Sequence, residues 1–209
     1  ATIEAWVKLD SYKTYGTLWH TGTWGVQVHG YDSGRIGTWV QDPNVEGFGA
    51  ATSQKIFGLN QWRHVATTYD NGTLSLYVDG ELWASEVSST TVLPTPTTNP
   101  RGLDIEVFYL GKEMPDTYLA GMDGLVDGLR ISDTVRYTSN FTPDVEMESD
   151  QDTLLLWNFT EGSGTSVEDE SGNGYTGTVS NAQWSNESDC DVEWDVPPAY
   201  TVVHTGGDG

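Results

Sequence analysis

The sequence predicts an all-β protein built as a two-sheet antiparallel sandwich. Three observations carry that reading. No segment of the 209 residues sustains a helical period, whereas period-two alternation of apolar and polar side chains recurs along the chain. Turn chemistry is dense, with 24 glycines and many Ser and Thr residues punctuating short strand-forming runs. The length is long for an average domain but ordinary for one large sandwich, and it suffices to bury a core without metal or disulfide staples.

The elements follow in order. Ile3, Ala5 and Val7 fall on one face of an opening strand, and Glu4, Trp6 and Lys8 on the other. Short strands are expected at Thr17–His20, Trp24–His29 and Arg35–Val40. The region from Gln61 to Glu86 reads as a three-strand meander: Trp62–Tyr69, a return strand with Leu74, Leu76 and Val78 inward, then Leu82–Val87. Its turns are Asn71-Gly72 and Asp79-Gly80, pairs that tolerate positive φ. Thr90–Arg101 carries Pro94, Pro96 and Pro100 and reads as a long loop inside the domain. Ile105–Leu110, Gly124–Ile131, Thr153–Phe159 and Gly177–Trp184 are further strands, and one short helical turn is expected within Ser132–Phe141. Beyond residue 185 the character changes to an acidic stretch, Pro197-Pro198, a strand-like run at Ala199–His204 and a Gly-rich end. The expected organisation is therefore one domain over residues 1–185 and a tail or linker over 186–209.

The formal net charge of −22, from nine basic and 31 acidic residues, repels nucleic acid and anionic membranes and favours cations. It reads either as solubility in salt or as an acidic interaction surface. No stretch is apolar and long enough to span a bilayer as a helix. The single cysteine, Cys190, forms no intrachain disulfide; it is either tolerated inside or joins chains. Four acceptor sequons, at Asn71, Asn140, Asn158 and Asn186, point to a secreted or cell-surface protein. The chain begins directly in strand-like sequence with no signal peptide visible, as expected of a processed form or a piece of a larger protein.

Several stretches together resemble the laminin-G-like family of concanavalin A-like jelly rolls. They are Thr2-Ile3-Glu4-Ala5-Trp6-Val7; Trp62-Arg63-His64-Val65-Ala66 followed by Leu76-Tyr77-Val78-Asp79-Gly80; Gly124 to Ile131; and Trp157 to Thr165 with Asp169-Glu170-Ser171-Gly172-Asn173-Gly174. The resemblance implies a jelly-roll sandwich with one concave face. Three departures stand out. The Trp157–Gly174 segment, which precedes the opening strand in that family, comes last here, so the domain is circularly permuted or the segment begins a following repeat. Gly128 stands where the family has Glu, and Thr160 where it has Asp.

The resemblance also implies a structural calcium ion, with Asp127 as its strand carboxylate and Asp169, Ser171 and Asn173 in the loop. Calcium needs six to eight oxygen ligands, which such a loop is rich in; the same residues also suit a plain side-chain-capped turn. Trp24, His29, Tyr31, Arg35 and Trp39 lie in one turn-rich span and are the expected ligand-binding residues, since sugars stack on aromatic faces while polar groups orient them. Trp6, Trp62 and Trp157 are expected in the core. The histidines, His20, His29, His64 and His204, show no metal-ligand spacing.

Glucanases share this fold, but the alternating carboxylate triplet that would place two carboxyls on one strand face is absent, and Glu168-Asp169-Glu170 is consecutive. The expectation is a non-catalytic extracellular binding or adhesion module for a glycan or an extracellular protein. The alternative is a filament or surface-layer subunit that self-assembles through its C-terminal tail and Cys190.

Overall fold

The computed structural model describes residues 1–14, 16–21, 24–29, 34–42, 47–87, 108–111, 121–185 and 201–204. Within them the chain forms two principal antiparallel sheets facing each other across one core, and the expected sandwich is what is found.

The larger sheet is organised around β1 (Thr2–Ser11), which lies between β6 (Trp62–Asp70) and β10 (Asp123–Ser132). Ile3, Ala5, Val7 and Leu9 point inward from β1 and are buried, as strict alternation demands. The meander continues through β7 (Thr73–Val78) to the edge strand β8 (Glu81–Val87). Both of its turns have positive φ at the two central residues, Asn71 with Gly72 and Asp79 with Gly80, which is the geometry that lets a two-residue loop follow the twist of its strands.

The smaller sheet runs in the order β5 (Gly47–Ile56), β4 (Arg35–Asp42), β3 (Trp24–His29), β2 (Gly16–His20), β9 (Tyr109–Leu110). Trp19, Trp24, Val26, Val28, Ile36 and Val40 bring its inner face onto the core. The two sheets also meet through a polar contact, the hydroxyls of Thr38 and Thr67 hydrogen-bonding at 2.9 Å while Trp24 Nε1 donates to Thr38. A buried hydroxyl pair satisfied in this way costs little and fixes the register of one sheet over the other.

Three elements depart from the sequence reading. Strand β5 was not expected, because Gly47, Gly49, Ala50 and Ala51 lack strand propensity; pairing along most of β4 overrides it. Residues 132–141 form no helical turn and instead belong to an irregular strap over residues 133–152 that crosses the outer face of the larger sheet. The Gly177–Trp184 run divides into β13 (Gly177–Thr178), paired with β12 (Ser166–Val167), and β14 (Ala182–Ser185), with Asn181 at φ 54 between them.

The rotated segment folds back onto this same domain. Strand β11 (Thr153–Trp157) pairs with β10 from Leu129 to Ser132. Strand β15 (Thr201–His204) pairs with the same edge of β10 from Gly124 to Val126 and with β14 on its other side. The strand-like run at Thr201–His204 thus pairs within the larger sheet, between β10 and β14. The Thr90–Arg101 loop, Ile105–Val107 and Cys190 lie outside the described residues.

Candidate functional site

At one end of the sandwich the two sheets part and enclose a cavity of about 580 Å³, within the size range of small-ligand sites. Its floor is the domain core itself, with Met122, Val126, Leu155, Phe159 and Val167 all buried. Its walls are half-buried aromatic side chains: Phe108 beside the edge strand of the smaller sheet, Trp157 from β11, and Tyr175 from the loop before β13. Thr176, Thr178 and Ser180 are exposed and supply hydroxyls at the mouth.

The pose of Trp157 is set locally. Its Nε1 donates to the Tyr175 carbonyl at 2.9 Å, and its ring lies against Gly177, where a Cβ would come within 2.8 Å of the indole. Glycine at 177 is therefore what lets the indole lie down. Phe108 meets it edge-on, with ring centroids 6.2 Å apart. Expected as a core residue, Trp157 is instead a cavity wall. Trp6, also expected in the core, lies on the outer face of the larger sheet and donates to the Asp144 carbonyl of the strap. Trp62 is buried as expected.

The residues expected to bind ligand are not brought together as one surface. Trp24 is wholly buried, because it alternates inward with Val26 and Val28, so it offers no face to a sugar. Trp39 alternates outward, lies over Gly25 and is 7% exposed. Arg35 lies on the same face and pairs in register with His29. Beside them, across β3, His20 packs on Tyr109 at 5.0 Å. Tyr31 lies outside the described residues.

The signal that could have found the cavity was available in part. Trp157 and Tyr175 flank the loop that the resemblance singled out, but nothing in the linear pattern says that Phe108 faces them.

A comparison with protein families matches residues 1–140 to the laminin-G-like family Laminin_G_3, described as the concanavalin A-like lectin/glucanases superfamily. The chain belongs to this concanavalin A-like superfamily. A comparison with curated proteins finds no match. Among solved structures, a Bacteroides ovatus ATCC 8483 protein to which carbohydrate binding has been ascribed superposes with a TM-score of 0.62 at 20% identity, over 85% of this chain and 50% of that one. The chain thus spans about half the length of that protein. The CBM40 of the Ruminococcus gnavus IT-sialidase, bound to α2,3-sialyllactose, matches with a TM-score of 0.46 at 19% identity, over 59% and 69% of the two chains. A heptameric SAP-like pentraxin from Limulus polyphemus matches with a TM-score of 0.43 at 13% identity, over 68% and 64%.

In this concanavalin A-like domain the loop expected to bind calcium is held by hydrogen bonds among its own residues and β11. The Asp169 carboxylate accepts bonds from the Leu156, Ser171 and Tyr175 amides and from the Ser171 hydroxyl, at 2.8–3.1 Å. Burial works against its charge, but these donors prevail and hold it below the usual carboxylate range. Asn173 Nδ2 donates to the Thr153 and Leu154 carbonyls and to Ser171 Oγ, so the carbonyls a cation would want are already engaged. The loop has the hydrogen bonding of a side-chain-capped turn. Among the described residues no three His, Cys, Asp or Glu side chains gather as a metal site.

Asp127 is a separate case. It faces Trp6 at a β-bulge where Gly128, at φ 49, is the extra residue; this conformation explains glycine in place of the family's Glu. Burial pushes Asp127 up to about 7, against a single hydrogen bond from the Gly128 amide.

The densest charge cluster lies under the strap. Glu4 receives Arg130 through Nε at 2.9 Å and Nη2 at 2.8 Å, the Tyr137 hydroxyl at 2.7 Å, and contacts His64 Nε2 at 3.1 Å. Burial raises the Glu4 pKa, but His64, Arg130 and Tyr137 outweigh it and hold the group below its ordinary value. The Phe141 ring stacks on Tyr137 at 3.4 Å. Every polar atom of the Glu4 carboxylate is engaged, so the arrangement serves packing rather than proton transfer. No helix among the described residues is long and apolar enough to cross a membrane.

Proposed function

We propose that the chain is a non-catalytic carbohydrate-binding module whose ligand sits in the cavity at the parted end of the sandwich. The observation that carries this reading is the wall of Phe108, Trp157 and Tyr175 beside exposed Thr and Ser hydroxyls. Aromatic rings cover the C–H faces of a sugar while hydroxyls and backbone groups meet its rim. The carbohydrate binding ascribed to the Bacteroides ovatus protein of the same fold supports it by analogy. Hydrolysis by paired carboxylates finds no support at this place, because no Asp or Glu is among the described lining residues. Four sequons and the acidic surface support work outside the cell. Assembly through the terminal strand is disfavoured, since β15 is paired on both edges within its own sheet.

A glycan array, read in calcium and in EDTA, tests the reading, with affinities of the hits then measured for three variants. Trp157→Ala and Tyr175→Ala should each weaken binding about tenfold or more while the fold persists by thermal melting. Trp39→Ala should leave binding unchanged. Loss confined to Trp39→Ala would move the site to the outer face of the smaller sheet, and binding lost in EDTA would restore the calcium requirement.

A further inference from the structure

We infer that the cavity selects uncharged sugars and turns away acidic ones, an inference that rests on the carbohydrate reading above and names the ligand class for the same site. In a chain with 31 acidic and nine basic residues, the described lining of the cavity carries no Asp, Glu, Lys, Arg or His at all. Its polar atoms are hydroxyls and backbone groups, which match the donors and acceptors of a neutral saccharide.

A carboxylate brought into this space loses its hydration and meets no counter-charge among the described lining residues. Five basic side chains of the described residues are committed elsewhere: Arg130 to Glu4, Arg63 to Asp79, Arg136 to Asp150, Lys55 to Glu81 and Lys13 to Asp123. The field of the whole domain, at −22, repels an anionic ligand before contact, and that repulsion weakens as salt is added. Local desolvation and long-range charge therefore act in the same direction.

The test uses matched pairs of glycans that differ by one acidic group, such as lactose and α2,3-sialyllactose, or neutral oligosaccharides and their uronate-terminated counterparts. For each neutral glycan that binds, the acidic partner should bind at least tenfold more weakly, with the gap narrowing as salt rises. Thr178→Arg, at the exposed mouth, should raise the affinity of the acidic partner severalfold and change that of the neutral one less than twofold. Equal or tighter binding of the acidic partner overturns the inference while leaving carbohydrate binding intact. An unchanged ratio in folded Thr178→Arg also overturns it, because charge would then not be the cause. If no glycan of either kind binds, the carbohydrate reading itself falls and the inference with it.

Discussion

Under the strap of residues 133–152, Arg130, His64 and Tyr137 converge on the carboxylate of Glu4, whereas the cavity at the parted end of the sandwich has not one charged side chain among its described lining residues. Both places are rich in aromatic rings. In the first, the rings of Trp6, Tyr77, Tyr137 and Phe141 pack on one another and on His64 around the ions. In the second, Phe108, Trp157 and Tyr175 border an open volume. The same residue types thus serve opposite ends: in the cluster they surround paired charges, and at the cavity they border exposed Thr and Ser hydroxyls. A fully engaged network fixes a structure. A wall of half-exposed rings with free hydroxyls nearby leaves its interactions for something else.

The strongest way to break this contrast is to unbalance the cluster. Arg130→Ala leaves the buried Glu4 with a reduced set of partners and should cost about 3–5 kcal/mol in urea unfolding. The double variant Glu4→Gln with Arg130→Met removes both charges and should recover part of that loss. If Arg130→Ala costs under about 1 kcal/mol, the cluster is not the structural element described here. Glycan binding by any folded cluster variant should match the parent, because none of these groups reaches the cavity.

The loop carrying Asp169 comes next in magnitude. Replacing its carboxylate by Ala strands the amides of Leu156, Ser171 and Tyr175, an expected loss of about 2–3 kcal/mol. Because the folded pKa lies below the unfolded value, the stabilisation is present above about pH 4 and disappears as pH falls through the depressed folded pKa. Asp169→Ala should therefore flatten the acid limb of the stability curve. An acid limb identical in parent and variant would sink this account. A melting temperature raised by calcium in the parent alone would return the loop to the role the resemblance implied.

Much of the fold was legible because its cues are local. Asn71-Gly72 and Asp79-Gly80 dictate two-residue turns, and the alternation of Ile3, Ala5 and Val7 dictates which face of β1 is buried. Strand β5 was not legible, since its Gly and Ala residues are held by pairing with β4 and not by propensity. The place of Thr201–His204 was not legible either: its partners on β10 lie some eighty residues earlier in the chain.

The site was read less well for a related reason. Trp24 and Trp39 carry the same side chain on neighbouring strands, and only alternation against their neighbours tells that one faces the core and the other the outside. The cavity depends on three rings drawn from three separate segments, and its edge-strand wall has no motif at all.

The smallest expected effect concerns Asp127, which shares the outer face of the larger sheet with Glu4 but lacks its partners. Where Glu4 has Arg130 and His64, Asp127 has one amide from Gly128. Its folded pKa of about 7 stands above the unfolded carboxylate value of 3.8. The protonated form is thus favoured in the folded chain, so the group makes no difference below about pH 4 and destabilises progressively as pH rises toward 7. Three pKa units set an upper bound of about 4 kcal/mol; the side chain is partly exposed, so about 1–2 kcal/mol is expected. Asp127→Asn should accordingly stabilise the domain by that amount at pH 8 and leave it unchanged at pH 4. Equal effects at the two pH values would mean that Asp127 is not strained by burial. Stabilisation of the parent by calcium at pH 8, abolished in Asp127→Asn, would mean instead that its missing partner is a cation, and the contrast with Glu4 would become one between a protein-supplied and a solvent-supplied positive charge.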